Sequence, residues 1–136
     1  MIYLDTSVAL LALLRQPRAT RAERLIVDAW EQNGLISSRL LEVEMFRAAH
    51  REGLDTALID EFIGGVELVD IHDTVIERAC ALTGSLKSLG AIHLATAMLL
   101  DNPRHPVTVL THDAHLADAA RARGLRAIDP LTERRT

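Results

Sequence analysis

The sequence predicts an α/β fold: a central parallel sheet flanked by helices, in one domain covering residues 1–136. Short apolar runs of strand length alternate with longer stretches of helical periodicity, the pattern of a parallel sheet with helical crossovers. A chain of 136 residues that is 49% hydrophobic has the size of one domain and enough apolar material for a core. Aromatic residues make up only 3%, so Leu, Ile, Val and Ala must fill that core, with Trp30, Phe46 and Phe62 as the bulky exceptions.

In chain order, strands are expected near Ile2 to Asp5, Leu35 to Ser37, Val66 to Val69 and Val107 to Thr111, with a weaker one near Arg126 to Ile128. Pro106 lies just before the fourth, where its missing N–H costs least. Helical patterns run over Thr6 to Leu14, Ala19 to Gln32, Ser38 to Glu52, Asp55 to Ile63, Asp73 to Thr83, Leu89 to Asp101 and Ala114 to Arg123. Gly34, Gly53, Gly84 and Gly124 follow helical runs at positions that suit a left-handed cap. No repeat or low-complexity segment interrupts the chain, and Glu133 to Thr136 reads as a frayed end.

A net charge of −4 argues against broad coating of nucleic acid by a basic surface. Nearly all the positive charge is arginine, Lys87 being the only lysine, and guanidinium groups suit local, bidentate contacts to phosphate or carboxylate. Single Cys80 forms no intramolecular disulfide, and Met1 to Leu14 lacks a basic leader and carries Asp5, so a cytoplasmic protein is expected. No run reaches the roughly 20 apolar residues of a membrane span, so a soluble protein is expected.

In open parallel sheets the reactive groups gather at the carboxyl ends of strands. Asp5 closes the first strand in Ile2-Tyr3-Leu4-Asp5-Thr6-Ser7, and Asp113 follows the fourth in Val109-Leu110-Thr111-His112-Asp113. Taken singly, an Asp between strand and helix is an ordinary N-cap. Glu44 is harder to dismiss, because helical spacing sets it on one face with Leu40, Leu41 and Ala48. Glu42 projects nearly opposite, as a solvated charge, while Arg47 could hold Glu44 in a plain intrahelical pair. If Asp5, Glu44 and Asp113 converge, they repel one another unless a cation neutralises them. Oxygen donors with no Cys or His set at zinc spacing point to Mg²⁺ or Mn²⁺. Such an ion polarises a phosphoryl oxygen and activates a bound water.

Four segments together carry a family resemblance: Asp5-Thr6-Ser7; Ser38-Arg39-Leu40-Leu41-Glu42-Val43-Glu44; Ala91-Ile92-His93-Leu94-Ala95-Thr96-Ala97; and Thr111-His112-Asp113-Ala114-His115-Leu116. In this order and spacing, over Ile2 to about Gly124, the chain resembles the PIN-domain ribonucleases of the VapC toxin type. The resemblance implies a metal-dependent ribonuclease that cuts RNA, forms a homodimer and is neutralised by a VapB-like antitoxin whose C-terminal segment covers the active site. By residue match, Asp5, Glu44 and Asp113 take the metal-site positions. Thr6, Ser7 and Thr111 become the hydroxyls that orient those acids, a role compatible with helix capping.

One position departs from the family. Its motif usually reads Leu-Asp-Ala-Ile-His-Leu-Ala, and here Leu89-Gly90-Ala91-Ile92-His93-Leu94-Ala95 sets Gly90 where a further carboxylate belongs. Glycine inside a helix costs up to about 1 kcal/mol relative to alanine, and the local pattern offers no structural reason for it. A single base change separates the two codons, a step open to natural drift and to deliberate inactivation. An activity-impaired chain is expected, or else a PIN-fold module that binds antitoxin without cutting RNA.

His93 shares a helix face with Leu86, Leu89, Ala97 and Leu100, so we expect a hydrogen-bonded core histidine and not a metal ligand. His112 and His115 flank Asp113, where ordinary surface histidines are the commoner reading and an approach to RNA is the alternative. Arg15, Arg18, Arg21 and Arg24 recur every three residues, a drifting basic edge on a helix, with Arg47 and Arg51 as further candidates for phosphate or antitoxin contact. Two other acid-bearing α/β folds fit poorly. A phosphoacceptor receiver needs an early aspartate pair and a lysine after a late strand, whereas Lys87 is misplaced. A haloacid-dehalogenase-like phosphatase needs Asp-x-Asp after the first strand.

Overall fold

The computed structural model describes residues 1–132, and the tail expected to fray lies outside them. Among the described residues the order is β1 (Ile2–Leu4), α1 (Thr6–Leu13), α2 (Thr20–Glu31), β2 (Leu35–Ser38), α3 (Arg39–Glu52), α4 (Thr56–Ile63), β3 (Glu67–Val69), α5 (Asp73–Ala81), α6 (Ser88–Leu100), β4 (Thr108–Leu110), α7 (Ala114–Ala122) and β5 (Arg126–Ile128). All five strands are parallel, in the order β3-β2-β1-β4-β5. The α/β reading therefore holds, and the expected elements differ from the observed ones only by a residue or two at their ends.

Period-two alternation assigns each strand residue to a face. Leu4, Leu35 and Leu110 join the core formed with α1 to α4, through Val8, Leu41, Met45 and Ile59. Tyr3, Ile36 and Val109 point the other way, into a second core with Leu94 of α6 and Leu116 of α7. Tyr3 pairs in register with Ile36 and Val109, so these three side chains form one row across the centre of that face. Both faces are covered, as the near-continuous apolar runs of a parallel sheet require.

Several expectations are corrected. Trp30 is not a core residue: it is 55% exposed, because α2 buries Ala22, Ile26 and Ala29 and leaves the indole lying over Gly65. Arg15, Arg18, Arg21 and Arg24 do not share a helix. Arg15 and Arg18 occupy the α1–α2 connection with φ of 50° and 66°, since Pro17 cannot continue a helix there. At the end of α2 the left-handed residue is Asn33 (φ 54°) and not Gly34. The Asn33 N–H donates to Trp30 O and the Gly34 N–H to Ala29 O, a Schellman closure that Asn tolerates. Gly84 is left-handed too, but stands in the loop beyond the end of α5 at Ala81. No described helix is long and apolar enough to cross a membrane.

Candidate active site

From β1 the chain proceeds to β2 on one side and later to β4 on the other, so connections leave in opposite directions between β1 and β4. Open α/β sheets form their ligand crevice outside the carboxyl ends at such a switch point. Asp5 follows β1 and Thr111 follows β4, and the Asp5 N–H donates to Leu110 O at 3.0 Å across that junction.

Asp5 sits at the N-cap of α1 by backbone position, yet its side chain makes no capping bond. Its Oδ2 instead accepts from Ser7 Oγ at 2.6 Å and from Thr111 Oγ1 at 2.7 Å. The carboxylate is buried, and its Oδ1 lies 3.6 Å from His93 Nε2. Among the described residues Oδ1 accepts no hydrogen bond. Ser7 in turn accepts from the His112 N–H at 2.9 Å, which fastens the start of α1 to the loop after β4.

Glu44 faces inward from α3 at the level of β1. Its Oε1 accepts from Thr6 Oγ1 at 2.6 Å and from His93 Nε2 at 2.8 Å, and its Oε2 has no hydrogen-bond partner among the described residues. Burial pulls this carboxyl upward, but the bonds from His93 and Thr6 and the nearby imidazole outweigh it, leaving the pKa below the ordinary 4.5. Arg47 makes no ion pair with Glu44 among the described residues. Glu42 is held by Arg39 at 3.1 Å on the outer side of α3.

Asp113 is used differently. Its Oδ1 accepts from the N–H groups of His115 (2.9 Å) and Leu116 (3.3 Å), capping α7, while its own N–H donates to Thr111 Oγ1 at 3.0 Å. Thr111 thus receives from Asp113 and gives to Asp5, which links the two aspartates through one hydroxyl. Even so, no group of three or more His, Cys, Asp or Glu side chains comes together as a metal cage among the described residues. The sequence expectation of three converging carboxylates is therefore met only by Asp5 and Glu44 at His93, with Asp113 attached through Thr111.

Gly90 is the third residue of α6, one turn before His93. Its φ is not left-handed, and an added Cβ would meet only Leu86 Cδ2 at 3.3 Å, the movable end of a side chain. No backbone or packing requirement calls for glycine here, and the first turn of α6 contains no acid.

His93 is the residue whose part the sequence understated. It is buried, as expected, but the face it occupies is not purely apolar. Nδ1 lies 2.7 Å from Tyr3 Oη while Nε2 faces both carboxylates, and Leu89, expected beside it, is exposed. The usable signal was that a buried Tyr hydroxyl and a buried imidazole each need a partner. His112 lies against Asp129 at 3.0 Å, and His115 Nδ1 meets Ser85 Oγ at 3.2 Å.

A cavity of about 620 Å³ lies elsewhere: an apolar groove between α2 and α4 that includes Val27, Trp30, Leu58 and Phe62 and none of the three acids.

The acids stand at the strand ends of a five-stranded parallel sheet, beside its switch point, and the family model described as "PIN domain" matches residues 2–128. The chain belongs to the PIN domain family. It is similar to Ribonuclease VapC35 of Mycobacterium tuberculosis, 33% identical over 134 residues that cover 96% of this chain and 97% of that protein. Ribonuclease VapC46 of the same organism is 29% identical over 133 residues, covering 95% and 97%. The fold matches a chain of a toxin–antitoxin complex from Klebsiella pneumoniae with a TM-score of 0.69 at 21% identity, covering 96% of this chain and 98% of that one.

Proposed function

We propose that this chain is a VapC-type ribonuclease toxin that depends on Mg²⁺ or Mn²⁺ and is impaired by Gly90. The observation that carries the reading is how the carboxylate oxygens are divided. In Asp5, Glu44 and Asp113, one oxygen is pinned by protein donors, and Asp5 Oδ1, Glu44 Oε2 and Asp113 Oδ2 are left without hydrogen bonds among the described residues. Pinned hard-oxygen donors with a spare lone-pair face suit a divalent cation. Asp5, Glu44 and Asp113 would hold that ion. Bound there, it supplies charge neutralisation for an RNA phosphodiester and an activated water. The chain's own part is to fix the acids: Ser7 and Thr111 hold Asp5, Thr6 and His93 hold Glu44, and the α7 amides hold Asp113.

The relatives and two surfaces support the reading of the partners. A VapB-like antitoxin neutralises the toxin, and the α2–α4 groove offers an apolar segment of it a seat. A homodimer is supported by exposed Ile76 on α5 and Leu99 on α6, which one chain leaves uncovered. Exposed, unpaired Cys80 suits a reducing cytoplasm.

The rival reading, a PIN module that binds antitoxin without cutting, is favoured by two observations: among the described residues the acids do not assemble into a group of three, and Gly90 leaves the α6 side of the site blank. One experiment separates the two. RNA cleavage is assayed for this chain and for Gly90→Asp across a titration of Mg²⁺ and Mn²⁺. Loss of a direct ligand should cost at least the 10 to 100-fold of an indirect one, so Gly90→Asp is expected to gain that factor or more. Equal rates in the two chains would show Gly90 to be irrelevant, and no cleavage by either would favour the binding module.

A further inference from the structure

A buried polar line crosses the molecule from sheet to site: Tyr3 of β1, His93 of α6, Glu44 of α3. Tyr3 is fully buried, His93 is 2% exposed, and their rings meet edge to face with centroids 5.7 Å apart. We propose that Tyr3 is a positioning residue whose hydroxyl donates to His93 Nδ1, fixing the imidazole as the Nε2–H tautomer that grips Glu44 Oε1 and leaves Oε2 for the site. This rests on the reading of Asp5, Glu44 and Asp113 as the active site.

The assignment follows from counting donors. A carboxylate only accepts, so the 2.8 Å contact to Glu44 requires hydrogen on Nε2. In a neutral ring Nδ1 is then an acceptor, and the group 2.7 Å away must donate. Tyr3 Oη is suited to do so, because the fully buried phenol carries one proton to give and lies directly against that nitrogen. Thr6 Oγ1 lies 3.5 Å from the other ring nitrogen, Nε2, so it does not compete with Tyr3 for Nδ1, and it gives its own proton to the same Glu44 oxygen at 2.6 Å. Two donors therefore converge on Oε1 and none on Oε2. Were the ring to flip to the Nδ1–H tautomer, a lone pair on Nε2 would face a carboxylate lone pair, and Glu44 would turn away. A metal-site carboxylate is thus oriented by a phenol two side chains behind it, from the strand that leads into Asp5.

The test begins on the unmodified chain, labelled with ¹⁵N-histidine, with the His93 ring assigned by its loss in His93→Gln. Two-bond ¹H–¹⁵N correlations are expected to show a bare Nδ1 and a protonated Nε2. A protonated Nδ1, alone or with Nε2, overturns the proposal without any variant having to fold. Tyr3→Phe, which keeps the ring, is expected to mix the tautomers. In a Gly90→Asp background it is also expected to weaken Mn²⁺ binding about tenfold, the low end for an indirect partner, with the unfolding midpoint monitored in parallel. Unchanged Mn²⁺ affinity with a mixed tautomer overturns the link from Tyr3 to the site. Absence of Mn²⁺ binding in both backgrounds instead sinks the active-site reading, and the ring nitrogens still decide Tyr3's part.

Discussion

Asp5 and Asp113 follow neighbouring strands and precede helices, and their sequence contexts are almost interchangeable, yet their carboxylates do different work. Asp113 caps α7 with its Oδ1. Asp5 occupies the same place before α1 and makes no cap. The difference comes from what surrounds each. Ser7 and Thr111 hydroxyls converge on Asp5 and draw its carboxylate into the crevice, whereas Asp113 meets backbone amides of the helix it begins. One acid is held by side-chain hydroxyls; the other has one oxygen bound by the amides of the helix it caps.

The largest expected effect sharpens this contrast. Asp5→Asn keeps the shape of the side chain but removes its charge, and in a Gly90→Asp background it should lower Mn²⁺ affinity by at least 100-fold, above the range for indirect partners. Calorimetric titration measures it, and a loss below tenfold would remove Asp5 from the metal site.

A moderate effect is expected at the capping acid. Asp113→Ala should cost about 1 kcal/mol of stability by leaving the His115 and Leu116 amides unpaired, while Asp113→Asn, which retains the cap, should cost little. Denaturant unfolding compares them. Equal stabilities for the two variants would show the cap to be idle and the contrast with Asp5 to be false.

The smallest effect is a change in acid response. The folded pKa of Glu44 lies below the ordinary 4.5, so its contribution is present above the unfolded value and fades as pH falls through the folded one. Glu44→Gln should therefore flatten the stability curve on the acid side of about pH 4.5 relative to the parent chain. Parallel curves for the two chains from pH 6 to 3 would mean that His93 and Thr6 do not favour the ionised form.

The sheet, its helices and the three acidic positions were legible because each is written in local pattern: apolar runs, helical spacing, an acid at a strand end. What separates Asp5 from Asp113 is not local, since Thr111 reaches Asp5 across 106 positions and Glu44 meets His93 across 49. For the same reason His93 read as a core histidine, which it is, while its grip on Glu44 stayed hidden. Trp30 misled by its size: an aromatic count identifies candidates for the core, but only the face that α2 buries, Ala22, Ile26 and Ala29, reveals that this one remains outside. Gly90 was legible as a departure, and the structure adds that no backbone conformation demands it.

Trp30 is the only tryptophan in the chain, and its indole lies so close over residue 65 that a Cβ there would come within 2.9 Å of Nε1. Ultraviolet excitation at the tryptophan edge therefore reports on one place, a half-wet ring in the α2–α4 groove, whose lining includes none of the three acids. Any segment that fills that groove should shift the emission to the blue, whereas ions added to the acids should leave its colour alone. The molecule has a native optical probe that distinguishes occupancy of its two faces without a label.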